Sequence, residues 1–497
     1  MGQRAVFVLL GAAVVMLVAW GLPAAASAAA SQPKMGQRPA IARLDDDGML
    51  VVRDRRTFIF GCYWNPGTSE GLRQLREAGF NLVSAKPDRQ TLDAIARQDL
   101  LAWVPLGGRI APANDAGEKK LEATVKPLLD HPALVVWEVP DEALWNVGYG
   151  RQGKLATERT KLRKLMRERE RGGHDVSRVQ ALLAEEARLR ARADFEAAEA
   201  REREIRRLLG ADKQDPDIQM STAPEAAEQM RQRLLRVCRL VNRLDGRPVW
   251  MNYAPRNTLD DLRRYAEAAD IVGCDIYPVP FEHSQGHSDL VNRRLSSVGD
   301  YTKRFHQAGG GRPVWMVLQG FGWRDIHKHP PDAPEEKGRR PSRAESRFML
   351  YDAIVHGARG VLYWGCNYAQ EPPDFWRDLR AVVREAADLG EVWAARDAAI
   401  HPEVSYGPTW GSVDRPPLAL AKNHEDKTYI LVVNEHYEGL AVRLSGLRGL
   451  DGARVSLVGN PSGCALKTDR IEQGALTHYM AGLSAAVVAV SDAKSGD

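Results

Sequence analysis

Cysteine is scarce in this sequence and net charge is small, and each shortage excludes a class of protein. The 497 residues hold 5 cysteines, Cys62, Cys238, Cys274, Cys366 and Cys464. They include no Cys-x-x-Cys pair and no histidine at ligand spacing, which excludes a disulfide framework and a cysteine–histidine zinc site. Cys62 and Cys366 fall near the ends of what read as the first and last strands of the pattern below. Buried free thiols are the expectation there, with a bridge as the alternative in an oxidising compartment. A formal charge of +4, with acids and bases nearly balanced, makes no case for nucleic acid as a partner. Past Leu22 no apolar run is long enough to cross a bilayer, and no period of solenoid length recurs.

What is present begins at the N-terminus. Arg4 precedes an apolar stretch from Ala5 to Leu22, then Pro23 and the small-residue run Ala24-Ala25-Ala26-Ser27-Ala28-Ala29-Ala30. That is the charged, apolar and small-residue order of a secretory signal, with Ala26-x-Ala28 as a cleavage point. The competing reading is an uncleaved anchor, because the run approaches the ~18 residues that can span a bilayer. The alanine-rich exit favours cleavage of residues 1–30. The expectation is a secreted or periplasmic protein with no stable membrane insertion.

Between residues 49 and 395, short apolar runs alternate with helical patterns. Residues 49–52 and 57–60 flank a charged turn and read as a hairpin feeding the first strand. Further strand-like runs follow at 81–85, 101–106, 135–139, 248–253, 271–278, 313–319 and 361–365. Eight strands joined by helices predict a (β/α)8 TIM barrel rather than a doubly wound sheet. Several runs finish in aromatic, amide or acidic groups: Tyr63-Trp64, Asp141-Glu142, Asn252-Tyr253, Asp275-Ile276-Tyr277, Gln319 and Tyr363-Trp364. Parallel barrel strands that bury an apolar body and end this way build their site at that end.

The rhythm breaks after Glu142. Residues 150–218, dominated by Arg, Glu, Ala and Leu, read as two long helices, 151–171 and 176–209, around Gly172-Gly173-His174-Asp175. A thin apolar stripe (Leu155, Leu162, Leu165, Val179, Leu182, Leu183) with balanced charge predicts a solvated, coiled-coil-like helical hairpin laced by i,i+4 ion pairs. Such an arm also offers a surface for a homo-oligomer. After Trp393, short strands separated by Gly, Asn and Asp turns predict an antiparallel β-sandwich. The expected division is a signal peptide at 1–30, a barrel domain at 31–395 and a sandwich domain at 396–497.

The hairpin running into Gly61-Cys62-Tyr63-Trp64, the acid pair after strand four, the run from Asp275 to Pro278, Tyr363-Trp364 and the trailing sandwich together resemble the retaining glycoside hydrolases of clan A. The resemblance spans about residues 49–490. It implies an enzyme that cleaves glycosidic bonds of a poly- or oligosaccharide without a cofactor, with Glu142 as general acid/base following Asp141. Such cleavage needs one carboxylic acid to protonate the leaving oxygen and a second group to stabilise the oxocarbenium-like centre. Adjacent carboxylates raise each other's pKa and can keep one protonated near neutral pH. The bland alternative has Asp141 or Glu142 capping the next helix or pairing with an arginine of the arm. Glu138, inside the strand, is a weaker candidate.

The chain departs from the clan at strand seven, where Gln319 stands in place of the nucleophile Glu. An amide cannot attack. Asp275, after strand six, is then the candidate second carboxylate, although an Asp before Pro278 also serves as a turn cap. A separation from Glu142 of ~5–5.5 Å would imply retention and ~6.5–9.5 Å inversion. The Asp141-Glu142 pair also resembles the acids of substrate-assisted hexosaminidases, in which the sugar's own acetamido oxygen attacks. A reading from another class, motivated by Gln319, is a barrel that binds carbohydrate or serves as a scaffold without cutting.

Trp64, Asn252, Tyr253, Tyr277, Gln319 and Trp364 are the expected substrate-binding residues, rings for sugar C–H faces and amides for hydroxyls. Trp323 offers another ring. Trp103, Trp137, Trp250 and Trp315 lie inside strands and read as core. His283, His287, His327 and His329 lack completing acids and read as loop histidines, so no metal is expected. Gly309-Gly310-Gly311 precedes a strand and is a turn, not a phosphate cradle.

Overall fold

Eight short strands pair in parallel and close on themselves. They are β1 (Ile59–Cys62), β2 (Leu82–Ser84), β3 (Leu101–Pro105), β4 (Leu134–Glu138), β5 (Val249–Tyr253), β6 (Ile271–Asp275), β7 (Val314–Gln319) and β8 (Gly360–Trp364). Each pairs with its sequence neighbours, and β8 returns to β1 with Tyr363 opposite Cys62. The molecule is a computed structural model that describes residues 41–106, 114–211, 218–255, 257–281, 291–326, 338–459 and 461–491, with Tyr149 described in its backbone alone.

Alternation along each strand sorts the side chains into two shells. Phe60, Cys62, Val249, Met251, Tyr253, Met316 and Tyr363 point outward and pack with the surrounding helices. Ile59, Leu82, Trp103, Trp250, Ile271, Trp315 and Leu362 point inward and fill the barrel. The filling is mostly indole, with ring centroids 6.1 Å apart for Trp103 and Trp250 and 5.6 Å for Trp250 and Trp315. Trp137, expected in the same core, points outward and donates to Asp245 at 2.9 Å. Rings this large need empty backbone beside them. A Cβ on Gly273 would lie 1.6 Å from the Trp315 carbonyl oxygen, so only glycine fits there.

The N-terminal end of the barrel is covered by three antiparallel strands, Ala42–Leu44, Leu50–Val52 and Arg55–Thr57. Ala42, Leu50 and Val52 join the inward cluster. The expected hairpin thus gains a strand. With this end covered and the middle packed with tryptophan, the strand-end polar groups gather at the C-terminal mouth.

The insertion after β4 is three helices, Ala143–Arg171, Ser177–Ala191 and Phe195–Leu209, rather than the hairpin of two expected. The second long helix breaks because Ala193 takes a left-handed φ of 59° and Asp194 caps the last segment, accepting from Ala197 N at 3.3 Å. Leu162, Val179, Leu182, Ile205 and Leu209 form a small core of their own. The charges are not all solvated either. Glu186 and Glu202 are 1 % exposed and are held by Arg159, Arg190 and Arg206, with Arg159–Glu186 at 2.7 Å and Arg190–Glu202 at 2.9 Å. Buried carboxylates persist only with such partners.

The C-terminal strands form two four-stranded antiparallel sheets. Ile430, Val432, Val488 and Val490 face the space between the sheets. Their neighbours Leu431, Val433, Ala485 and Val487 face the other way and join the barrel's outer core. One sheet is therefore buried on both faces, which explains its unbroken apolar runs. It packs on the barrel helix Arg343–Val355, which opens with a capping box between Ser342 and Glu345. No helix among the described residues is long and apolar enough to cross a membrane, and residues 1–30 lie outside the described residues.

Candidate active site

The chain stays paired past the end of β4, with Val139 N donating to Trp250 O at 3.0 Å and Glu142 N to Asn252 O at 3.1 Å. This extension carries the acidic cluster to the mouth. Glu142 adopts φ 47° and ψ 33°, a left-handed conformation that costs a non-glycine residue about 1 kcal/mol. It occupies the N-cap position of helix Ala143–Arg171, yet its side chain makes no capping hydrogen bond. The carboxyl turns instead toward β6, where it hydrogen-bonds Asp275.

Four carboxyls converge here. Glu138, the last residue of β4, points inward and is 2 % exposed. It accepts from Tyr63 Oη at 3.1 Å and Trp103 Nε1 at 2.9 Å. Burial, and then the charge of Asp141, push its pKa well above the usual carboxylate range. Glu138 forms the floor beneath the mouth. Asp141 is exposed at the rim. Its pKa is raised by the surrounding protein, countered by the Asn252 amide, which donates to it at 2.9 Å, and by the Glu142 N–H.

Glu142 and Asp275 are the coupled pair. Burial, and next the charge of Asp141, lift Glu142 to about 7, while the hydrogen bond from Asp275 pulls it down. Asp275, 3 % exposed, is pushed well up by burial and then by Glu142 and Asp141. Tyr277 also hydrogen-bonds Asp275. No cation figures among the influences on these four groups within the described residues. Each carboxyl is the other's hydrogen-bond partner, and each acts on the other's proton affinity.

The wall beside the pair is aromatic. Tyr277 and Trp364 stack with centroids 5.7 Å apart at 24°. Phe321 meets both edge-on at 5.0 and 5.1 Å. Trp323 stands 6.2 Å from Tyr277, and Tyr368, 48 % exposed, continues the surface 5.9 Å from Trp364.

Of the residues singled out from sequence, Glu142, Asp141, Asp275, Asn252, Tyr277 and Trp364 come together. Trp64, Tyr253 and Gln319 do not serve as expected. Trp64 follows the inward-facing Tyr63 and packs on Trp376, 6.0 Å away. The inward place belongs to Tyr63, which sequence reasoning passed over. Tyr253 also points outward, against Phe305 at 5.4 Å. Gln319 points inward but is fully buried and spent on backbone. Its Oε1 accepts from Val279 N at 2.9 Å, and its Nε2 donates to Val279 O at 2.7 Å and Phe321 O at 3.1 Å. A carboxylate could not donate to those carbonyls, so the amide at this position is a structural clamp. His283, His287, His327 and His329 lie outside the described residues, and so do the loop segments 107–113, 282–290 and 327–337 that follow β3, β6 and β7.

No family model matches the chain, and no curated protein matches it. Among solved structures it is similar in outline to a β-galactosidase from Bacillus circulans sp. alkalophilus, at 10% identity over 88% of this chain and 99% of that one, with a TM-score of 0.47. A GH30 endoxylanase from Clostridium papyrosolvens is 10% identical over 88% of this chain and 97% of its own, with a TM-score of 0.41. A β-galactosidase from the psychrophilic Marinomonas ef1 is 14% identical, with a TM-score of 0.40. That match covers 67% of this chain, which spans 60% of the Marinomonas protein's length. The barrel itself is established by its own strand pairing.

Proposed function

We propose that the chain is an exported glycosidase acting on a poly- or oligosaccharide, with Glu142 as general acid and base. The observation that carries this reading is the hydrogen-bonded Glu142–Asp275 pair at the barrel mouth, set against an aromatic wall. A carboxyl lifted to about 7 is matched to proton transfer at neutral pH. Export rests on the composition of residues 1–30.

In this reading the stacked Tyr277 and Trp364 receive the C–H face of a sugar. Glu142 gives its proton to the glycosidic oxygen as the C–O bond breaks, and takes one back from the water that completes hydrolysis. Asp275 is engaged by its hydrogen bond with Glu142. Its role is to hold Glu142's proton affinity near neutrality. Asp141, steadied by Asn252, is the carboxylate left to face the developing positive charge or to orient a group of the substrate. With Gln319 closed on backbone, strand seven supplies no nucleophile.

A second reading, carbohydrate binding without cleavage, draws on that same closed Gln319. The two are separated by assaying the full chain and its Glu142→Gln variant on a panel of aryl glycosides and polysaccharides. The glycosidase reading expects turnover by the parent and a loss of about 10²–10⁴-fold in the variant. Saturable glycan binding with no turnover by either protein would leave only the binding reading.

A further inference from the structure

A second group of acids lies buried where the barrel meets the sandwich. Asp352 and His356 stand four residues apart at the end of helix Arg343–Val355, so they share a face. Glu435 follows the sandwich strand Lys427–Asn434. One donor atom from each lies within 4.8 Å of the other two. His356 Nε2 is 2.6 Å from Glu435 Oε1 and 3.7 Å from Asp352 Oδ1. Asp352 is fully buried, Glu435 is 4 % exposed, and the His356 side chain is 7 % exposed. The imidazole is wedged in place, since a Cβ on Gly299 would stand 2.2 Å from His356 Cδ2.

Three carboxyls here, Asp300, Asp352 and Glu435, face two permanent cations, Arg415 and Lys303. Arg415 is committed to Glu435 Oε2 at 2.9 Å and to Asp300, whose Oδ1 lies at 3.1 Å. Lys303 reaches Asp300 at 3.3 Å, and Asn292 donates to it at 2.8 Å. The far oxygen of Asp352 accepts from Gly299 N at 2.8 Å. Its near oxygen, Oδ1, receives no hydrogen bond from a donor among the described residues, and the Glu435 carboxyl is the other group in reach of Asp352. A buried carboxylate with a bare oxygen, beside a second carboxylate, asks for positive charge. A proton on Nε2 points at one carboxylate at a time. A metal ion satisfies both.

We propose that Asp352, His356 and Glu435 bind a divalent transition ion of the zinc type, which fastens the barrel helix to the sandwich. One imidazole nitrogen and two carboxylate oxygens suit zinc, and the nitrogen disfavours calcium and magnesium. Tetrahedral bonds of ~2.0–2.1 Å place ligand atoms about 3.3 Å apart. The observed 2.6 and 3.7 Å straddle that value, so small side-chain shifts suffice. Burial makes the site structural rather than catalytic, with water completing the coordination.

The test uses the full chain without a histidine tag, stripped with EDTA and titrated with Zn²⁺ by calorimetry and thermal melting. One ion per chain is expected, with a rise in melting temperature of several degrees that Ca²⁺ at the same concentration does not produce. His356→Gln and Glu435→Gln are each expected to weaken zinc binding at least tenfold, whereas Glu142→Gln leaves it unchanged. Absence of stoichiometric binding, or equal binding by parent and site variants, would overturn the proposal. Should the site variants fail to fold, zinc absorption spectroscopy on the parent decides. One nitrogen with oxygens supports the site, and a shell of sulfur or several imidazoles refutes it.

Discussion

Two pairs of carboxyls meet side by side in this molecule, and their surroundings make them opposites. At the mouth, Glu142 and Asp275 meet with aromatic rings and other acids around them. At the interface, Asp352 and Glu435 meet with His356 and Arg415 against them. Burial and then Glu435 push Asp352 well up. Burial also lifts Glu435, but the hydrogen bonds from His356 and Arg415 outweigh it and hold Glu435 low. A carboxyl pair without a cation keeps a proton that can be lent. A pair faced by an arginine keeps a charge that ties two layers together. The same two functional groups become an acid in one place and a fastening in the other.

The comparison breaks most visibly if Glu142 is replaced. Glu142→Gln is expected to lower kcat by about 10²–10⁴-fold on any responsive glycoside, read by initial rates with saturating substrate. Removing the sugar platform with Trp364→Ala should act on KM, raising it about tenfold while kcat changes less. A drop confined to kcat would remove Trp364 from the binding surface. Asp275→Ala sharpens the contrast further. Asp275's hydrogen bond lowers Glu142, so its loss should move the alkaline limb of kcat/KM upward from about 7. A limb that stays in place would show that the two carboxyls do not communicate.

The smallest effect concerns stability. Glu142 binds its proton more tightly in the folded chain than at its ordinary value of 4.5. Its contribution is thus fully present below about 4.5 and is lost as pH rises through about 7. Glu142→Gln removes that loss, so the variant should be more stable than the parent by about 1 kcal/mol at pH 8, solvent screening included, and nearly equal at pH 4. Denaturant midpoints at the two pH values check this.

Much of this arrangement is legible in the order of residues, because a barrel places the ends of its strands together. Asp141, Glu142 and Asp275 are 134 positions apart at most, and strand-end position alone predicts that they meet. The choice between neighbours is a matter of period-two phase. Tyr63 lies inward and Trp64 does not, Asn252 lies inward and Tyr253 does not, and one inward anchor on each strand decides which. Gln319 is different. Its role depends on where Val279 passes, 40 residues away in sequence, and no local pattern records that. The break in the arm had its local sign in Asp194, a capping residue amid charged helix formers. At the interface, Asp352 and His356 show as an i,i+4 pair, but Glu435 joins them from another domain, 79 residues from His356.

The most direct measurement is a pH titration of carboxyl groups by infrared spectroscopy or by carbon NMR on side-chain-labelled glutamate, comparing the parent with Glu142→Gln. A glutamic carboxyl titrating at about 7 in the parent and missing from the variant is the predicted result. Identical titrations of the two proteins above pH 5 would contradict a raised Glu142 carboxyl at the barrel mouth.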